Sequence, residues 1–229
     1  MQLNWLIQQH HRTCLLFFSG WAMFPAPFAE LDWGKRDVLF IHDYQAIEPI
    51  DLQKLANHYQ HLECCAWSMG VSVAFHLLSG KQHLFRRSIA VGGTLAGIDD
   101  QTGIPQQAFL DAINRVSPEW QQDFYRSMFE NQQEADRFLR HRPWPPVTTI
   151  RNELARLYHH VCTSHRSATY GFDYSFVLSR DRIIPARNQR RCWKSYPRTL
   201  LPAPHFPFYQ FSPAALLMQP ETHSITPTV

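Results

Sequence analysis

The stretch CAWSMGVSVAFHLLSG, residues 65–80, sets a serine between an apolar run that reads as a strand and one that reads as a helix. Ser68 follows Leu62-Glu63-Cys64-Cys65-Ala66-Trp67 and precedes Met69-Gly70-Val71-Ser72-Val73-Ala74-Phe75-His76-Leu77-Leu78. Two positions away on either side stand Ala66 and Gly70, both tiny. A backbone bent too sharply for larger side chains needs such neighbours. Strand, tight turn and helix form the geometry of a nucleophile elbow, in which a strained serine projects its hydroxyl above the sheet. The same turn puts the Met69 N–H at a helix N-terminus, aimed at the oxygen of a bound carbonyl. The full pattern is G-x-S-x-G, from which Ala66 departs by one methyl group.

Around this stretch, short apolar runs recur at residues 14–18, 38–41, 62–67, 88–91, 174–178 and 199–201, with helical patterns at 51–59 and 69–79. Uninterrupted apolar strands alternating with helices predict an α/β fold: a doubly wound, mostly parallel sheet covered on both faces, with right-handed crossovers. Residues 102–160 break the rhythm. No strand is predicted there, and helical patterns cover 106–116, 119–131, 134–141 and 150–162. We expect this block to form a helical cap, or lid, over the C-terminal edge of the sheet, where open α/β sheets bind ligands. The alternative is an ordinary long crossover. The expected organisation is a core of residues 1–101 and 161–229 with the cap at 102–160 inserted. The tail after Leu217 reads as polar and frayed.

A lone serine is a poor nucleophile and needs a base that is itself oriented by a carboxylate. In a fold of this kind the order along the chain is Ser, then Asp or Glu, then His, each on a loop after a strand. The 174–178 strand runs into Ser179-Arg180-Asp181-Arg182-Ile183-Ile184-Pro185, and the 199–201 strand into Pro202-Ala203-Pro204-His205-Phe206-Pro207. Asp181 and His205 therefore fall where the acid and base belong. Singly, Asp181 also reads as a helix cap and His205 as one of thirteen histidines; in order with Ser68 they form a constellation. The rival acid, Asp173, precedes its strand and belongs to the opposite edge. A second oxyanion donor is expected from Phe17-Phe18-Ser19-Gly20-Trp21, where Gly20 permits a tight turn and Trp21 presents its N–H. Packing alone is the other reading of Trp21.

Composition bounds the partners. A chain of 229 residues, 45% hydrophobic and 18% charged, supports one sizeable globular core. Its net charge of +3 is too weak to imply nucleic acid, yet suits an acidic partner. Cys14, Cys64, Cys65, Cys162 and Cys192 lack paired metal-ligand spacing, so we expect structural thiols in a reducing compartment and neither metal nor cofactor. The first residues lack a secretory pattern, and the longest apolar run, 14–18, falls far short of the roughly 20 residues that cross a bilayer. A cytoplasmic monomer away from the membrane is expected.

Taken together, Phe17-Phe18-Ser19-Gly20-Trp21, Asp43-Tyr44, Ala66-Trp67-Ser68-Met69-Gly70, the Asp181 loop and the His205 segment resemble the pimeloyl-[acyl-carrier protein] methyl ester esterases of biotin synthesis. Within them the chain is most similar to the short BioG-type branch of the α/β-hydrolases, in order from about residue 15 to 208. The resemblance implies an α/β-hydrolase fold and a serine esterase that removes the methyl group from pimeloyl-acyl carrier protein, releasing methanol. It carries over Ser68, Asp181 and His205 as the triad, with Trp21 and Met69 as oxyanion donors. Acyl carrier proteins are strongly acidic, so docking is expected on arginines near the pocket mouth. Arg137, Arg140, Arg142, Arg151 and Arg156 offer one cluster, and Arg187, Arg190, Arg191 and Lys194 another along one helical face. A general short-chain carboxylesterase or thioesterase without a protein partner, and a hydrolase-fold binding protein with an unused triad, remain open alternatives.

Overall fold

The strands form where apolar side chains run without a break, because both faces of the sheet are covered. In the computed structural model, which describes residues 1–163 and 170–218, β2 (Thr13–Phe18) and β3 (Asp37–His42) are buried along their whole length. β4 (His61–Trp67) is buried from its second residue onward. With β5 (Phe85–Val91), β6 (Tyr174–Leu178) and β7 (Arg198–Leu201) they make a parallel array, and β1 (Gln2–Ile7) adds to β3 antiparallel at one edge. The order across the sheet is β1-β3-β2-β4-β5-β6-β7. The sequence predicts six of these strands to within three residues and misses β1. The reason is exposure: the first four residues of β1 face solvent, so Leu3 and Trp5 alternate with Gln2 and Asn4 and no apolar run forms. The polar tail beyond residue 218 lies outside the described residues.

α1 (Ala26–Ala29), α2 (Leu52–His58) and α3 (Met69–Leu77) connect the first strands. Between β5 and β6 come α4 (Gln106–Arg115), α5 (Pro118–Ser127), α6 (Gln132–Leu139) and α7 (Val147–Thr163), and after β6 come α8 (Ala186–Cys192) and α9 (Pro213–Met218). Their ends are written locally. Ser117 caps α5 by accepting from the Trp120 N–H at 3.2 Å, with Pro118 in the first turn. The helix expected at 119–131 stops at Ser127, because Asn131 starts α6 by accepting from the Glu134 N–H at 2.8 Å. The helical block rests on the loops after β2, β3 and β7: Phe124 stacks on Trp21 at 4.0 Å, and the Phe206 N–H donates to the Met128 carbonyl at 3.1 Å.

One aromatic cluster underlies the loops at the end of the sheet. Phe28 lies with its ring centroid 5.4 Å from Phe17, 4.9 Å from Phe40, 5.9 Å from Trp67 and 5.5 Å from Phe206. Such pairs add about 0.5–1.5 kcal/mol each beyond the area they bury. Deep burial keeps Cys14, Cys64 and Cys65 as small core residues, pushing their thiols well above the usual range. Phe28→Ala should cost about 3–5 kcal/mol and lower the melting temperature by roughly 6–20 °C, read by calorimetry. A shift under about 2 °C would deny the cluster its structural weight.

Candidate active site

β4 ends at Trp67 and α3 begins at Met69, so the turn between them is a single residue. Ser68 takes φ 57° and ψ −130°, a conformation that L residues rarely adopt, and its N–H donates to the Val91 carbonyl at 3.0 Å. α3 then crosses so close to β2 that a Cβ on Gly70 would lie 2.3 Å from the Phe18 carbonyl oxygen. Glycine is required there by space. Ala66 sits fully buried inside β4, in register with Phe18 and Ala90, where its methyl group is accommodated.

The loops after β6 and β7 bring the other two residues to this serine. His205 Nε2 lies 2.9 Å from Ser68 Oγ, and its Nδ1 lies 2.8 Å from Asp181 Oδ2. Both side chains of this contact are shielded, His205 at 1% and Asp181 at 0% exposure. With the proton on Nδ1 donated to the carboxylate, Nε2 is left to accept from the serine hydroxyl. Asp181 is held from all sides: Oδ1 accepts from the Ile183 and Ile184 N–H groups at 2.7 and 2.9 Å, and Oδ2 also accepts from Gln189 Nε2 at 2.8 Å. Asp173 is bound to the Ser88 N–H at 2.6 Å, just before β6, and takes no part in this line.

The loop after β2 closes the other side. A Cβ on Gly20 would stand 3.3 Å from Ser68 Oγ, so this backbone passes directly beside the hydroxyl. Trp21 follows, 4% exposed, with its ring stacked on Phe124. Tyr44 donates its hydroxyl to the Ser19 carbonyl at 2.8 Å, and Glu153 of α7 accepts from the Ala22 N–H at 2.8 Å and the Tyr44 N–H at 3.0 Å. Met69 is buried in the first turn of α3.

Sequence reasoning assigns no role to three further contributors. Trp67 Nε1 donates to the His205 carbonyl at 2.8 Å, tying the elbow to the histidine loop. Gln189 joins Asp181 to the Leu178 N–H, and Glu153 joins α7 to two loops. Their signal was a polar side chain on an apolar face: Glu153 shares its helical stripe with buried Ile150, Leu154 and Leu157. Of the arginines, Arg137 is engaged with Glu30 at 2.8 Å and lies over the Tyr209 ring at 4.0 Å. Arg142 lies over Trp144 at 3.5 Å, and Arg151 donates to the Val116 carbonyl at 2.7 Å. Arg140, Arg156, Arg187, Arg190 and Arg191 are exposed. Among the described residues, no group of three or more His, Cys, Asp or Glu side chains is placed to hold a metal, and no helix is long and apolar enough to cross a membrane.

A family model described as pimeloyl-ACP methyl esterase BioG matches residues 1–213. The chain belongs to the BioG family. A crystal structure of BioG from Haemophilus influenzae superposes with a TM-score of 0.85 at 26% identity, covering 96% of this chain and 100% of that one. A Bacteroides fragilis relative named malonyl-[acyl-carrier protein] O-methyltransferase is 30% identical over 81% of this chain, which spans only 37% of that protein's length. The enol-lactonase of Burkholderia xenovorans superposes at a TM-score of 0.60 with 11% identity, covering 91% of this chain and 90% of that one, a likeness of fold alone. The chain thus has the α/β-hydrolase fold of the BioG family, whose esterase description fits a hydrolase. In this BioG-family chain, Gln189→Leu strands the buried Leu178 N–H and removes a donor from Asp181. It should lose about 1–3 kcal/mol of stability, seen as an earlier urea midpoint with unchanged slope.

Proposed function

We propose that the chain is a serine esterase that hydrolyses the methyl ester of pimeloyl-[acyl-carrier protein] to pimeloyl-[acyl-carrier protein] and methanol in biotin synthesis. One observation carries the reading: a continuous hydrogen-bonded line from Ser68 through His205 to Asp181, in a chain matched by the BioG family model over residues 1–213. Ser68, His205 and Asp181 are assigned as nucleophile, base and orienting acid.

His205 takes the Ser68 proton as Oγ attacks the ester carbonyl, and Asp181 stabilises the imidazolium that forms. The Met69 N–H at the start of α3 and the Trp21 N–H in the adjoining loop are assigned to the developing oxyanion, each worth about 10²–10³ in turnover. His205 then returns the proton to the departing methoxide, releasing methanol. Water repeats the cycle on the acyl-enzyme and frees the carboxylate. Residues 102–160 are assigned as the lid that excludes bulk water, on the support of the contacts from α5, α6 and α7 to the site loops. The methyl ester is carried by an acidic protein, so the exposed Arg140, Arg156, Arg187, Arg190 and Arg191 are candidate docking charges. Arg137, Arg142 and Arg151 enter that role only by leaving the partners they now hold.

Methanol release from the carrier-linked ester should fall roughly 10⁴-fold or more in Ser68→Ala, with the fold intact by circular dichroism. A variant keeping a tenth of wild-type activity would remove Ser68 from its role. Wild type, and not Ser68→Ala, should restore growth without biotin to a strain lacking its own methyl ester esterase. The partner is tested separately. Raising salt should weaken the KM for the carrier-linked ester, since exposed charges are screened beyond about 8–10 Å, while a small free methyl ester is hydrolysed at a nearly constant rate. Charge reversal at Arg190 and Arg191, or at Arg140 and Arg142, should raise KM for the carrier-linked ester alone. Equal salt dependence for both substrates would point to a carboxylesterase without a protein partner.

A further inference from the structure

Other buried carboxylates among the described residues are held by arginines or by four donors. Glu63 pairs with Arg36 at 2.6 Å and with Arg86, and Asp37 accepts from the Gln9, His10 and His11 N–H groups and the Tyr59 hydroxyl. Glu153, 2% exposed, faces the loops of the site, and its hydrogen-bond partners are two backbone N–H groups. Both belong to strained turns. Ala22 has φ 59°, and Asp43, immediately before Tyr44, has φ 54°. Neither is glycine, so each turn needs something outside itself to hold it. Tyr125 adds its hydroxyl to the Ala22 carbonyl at 2.7 Å, and Tyr44 adds its own to the Ser19 carbonyl at 2.8 Å.

We propose that Glu153 is a positioning residue: gripping Ala22 and Tyr44 from α7, it sets where the Gly20-Trp21 loop lies beside Ser68. The inference rests on the reading above, in which the Trp21 N–H serves the oxyanion. The Ala22 N–H that Glu153 holds is one residue from the Trp21 N–H. Only the φ and ψ of the packed Trp21 lie between their two planar peptides, so a small shift at Ala22 moves the preceding donor. The ionised carboxylate accepts both N–H groups. Once protonated, one of its oxygens carries a hydrogen towards a donor, and the grip on one loop is lost.

Burial raises the Glu153 carboxyl to about 7, so this change falls where the enzyme would work. The titratable groups around it are Asp43 and Tyr44 of the β3 loop, Tyr125 of α5 and the Met1 amine. Asp43 favours the protonated form and the Met1 amine the ionised one. Turnover should therefore rise with pH as Glu153 deprotonates.

The test compares wild type, Glu153→Gln and Ser68→Ala on a short p-nitrophenyl ester, with a trifluoromethyl ketone as the tetrahedral mimic. Glu153→Gln should lower kcat roughly 10- to 100-fold, less than loss of a whole donor. KM should stay within about twofold, and ketone affinity should fall in parallel with kcat. The acid limb of kcat against pH should lose one proton in Glu153→Gln relative to wild type. Unchanged kcat and ketone affinity, or matching limbs, would overturn the inference. Should the variant fail to fold, the wild-type limb decides, and a limb with no group titrating near 7 overturns it. If Ser68→Ala hydrolyses the ester as fast as wild type, the esterase reading itself fails and takes this inference with it. If turnover depends on Ser68 while Glu153→Gln behaves as wild type, only the inference fails.

Discussion

Ser68 is held with φ 57° and ψ −130°, and the surrounding architecture is arranged to keep it there. A non-glycine residue in such a conformation costs about 1–3 kcal/mol, so it persists only when neighbours over-determine it. The Ser68 N–H is tied to Val91 on one side, and Gly70 lets α3 press onto the Phe18 carbonyl on the other. Beneath the turn, Trp67 is wedged among Phe28, Phe206 and Phe208 with centroid distances of 5.9, 5.5 and 5.6 Å. The Ser68 hydroxyl makes its hydrogen bond to His205 Nε2 at 2.9 Å. The bend frees it to meet His205.

Electrostatics complete what packing begins. Asp181 is buried yet accepts four hydrogen bonds, from Ile183, Ile184, Gln189 and His205, so a negative charge is supported without water. Each donor comes from a segment whose own position is fixed by the sheet or by α8. The histidine is oriented from both ends: its ring by Asp181 and its backbone by the Trp67 indole. Rotation of either His205 or Asp181 would unpair several buried groups at once, and this is how the fold keeps their geometry from relaxing.

Much of this was legible in the sequence because the central strands are buried on both faces and the site residues follow strands. β2, β4 and β6 read as continuous apolar runs, and Ser68, Asp181 and His205 stand just after β4, β6 and β7. β1 was hidden because an exposed edge strand mixes Gln2 and Asn4 with Leu3 and Trp5. The roles of Glu153 and Trp67 were hidden for a different reason. Their hydrogen bonds span 131 and 138 positions, and only the folded chain brings those partners together. The arginines show the same limit. Charge spacing does not reveal that Arg137 is occupied by Glu30 and Tyr209 while Arg190 is exposed.

The distance in sequence between Ser68 and His205, 137 positions, also bears on how the chain is made. Everything up to β5 could pair during synthesis and already present the serine turn. The histidine arrives only after β7 has docked on β6, and the Trp67 indole must then find the His205 carbonyl. Contacts this remote form late, once the loop-closure entropy has been met. A nascent or half-folded chain therefore holds the Ser68 turn with no His205 beside it. On the reading proposed above, reactivity switches on only when β7 has docked, so hydrolysis would report that this last strand is in place.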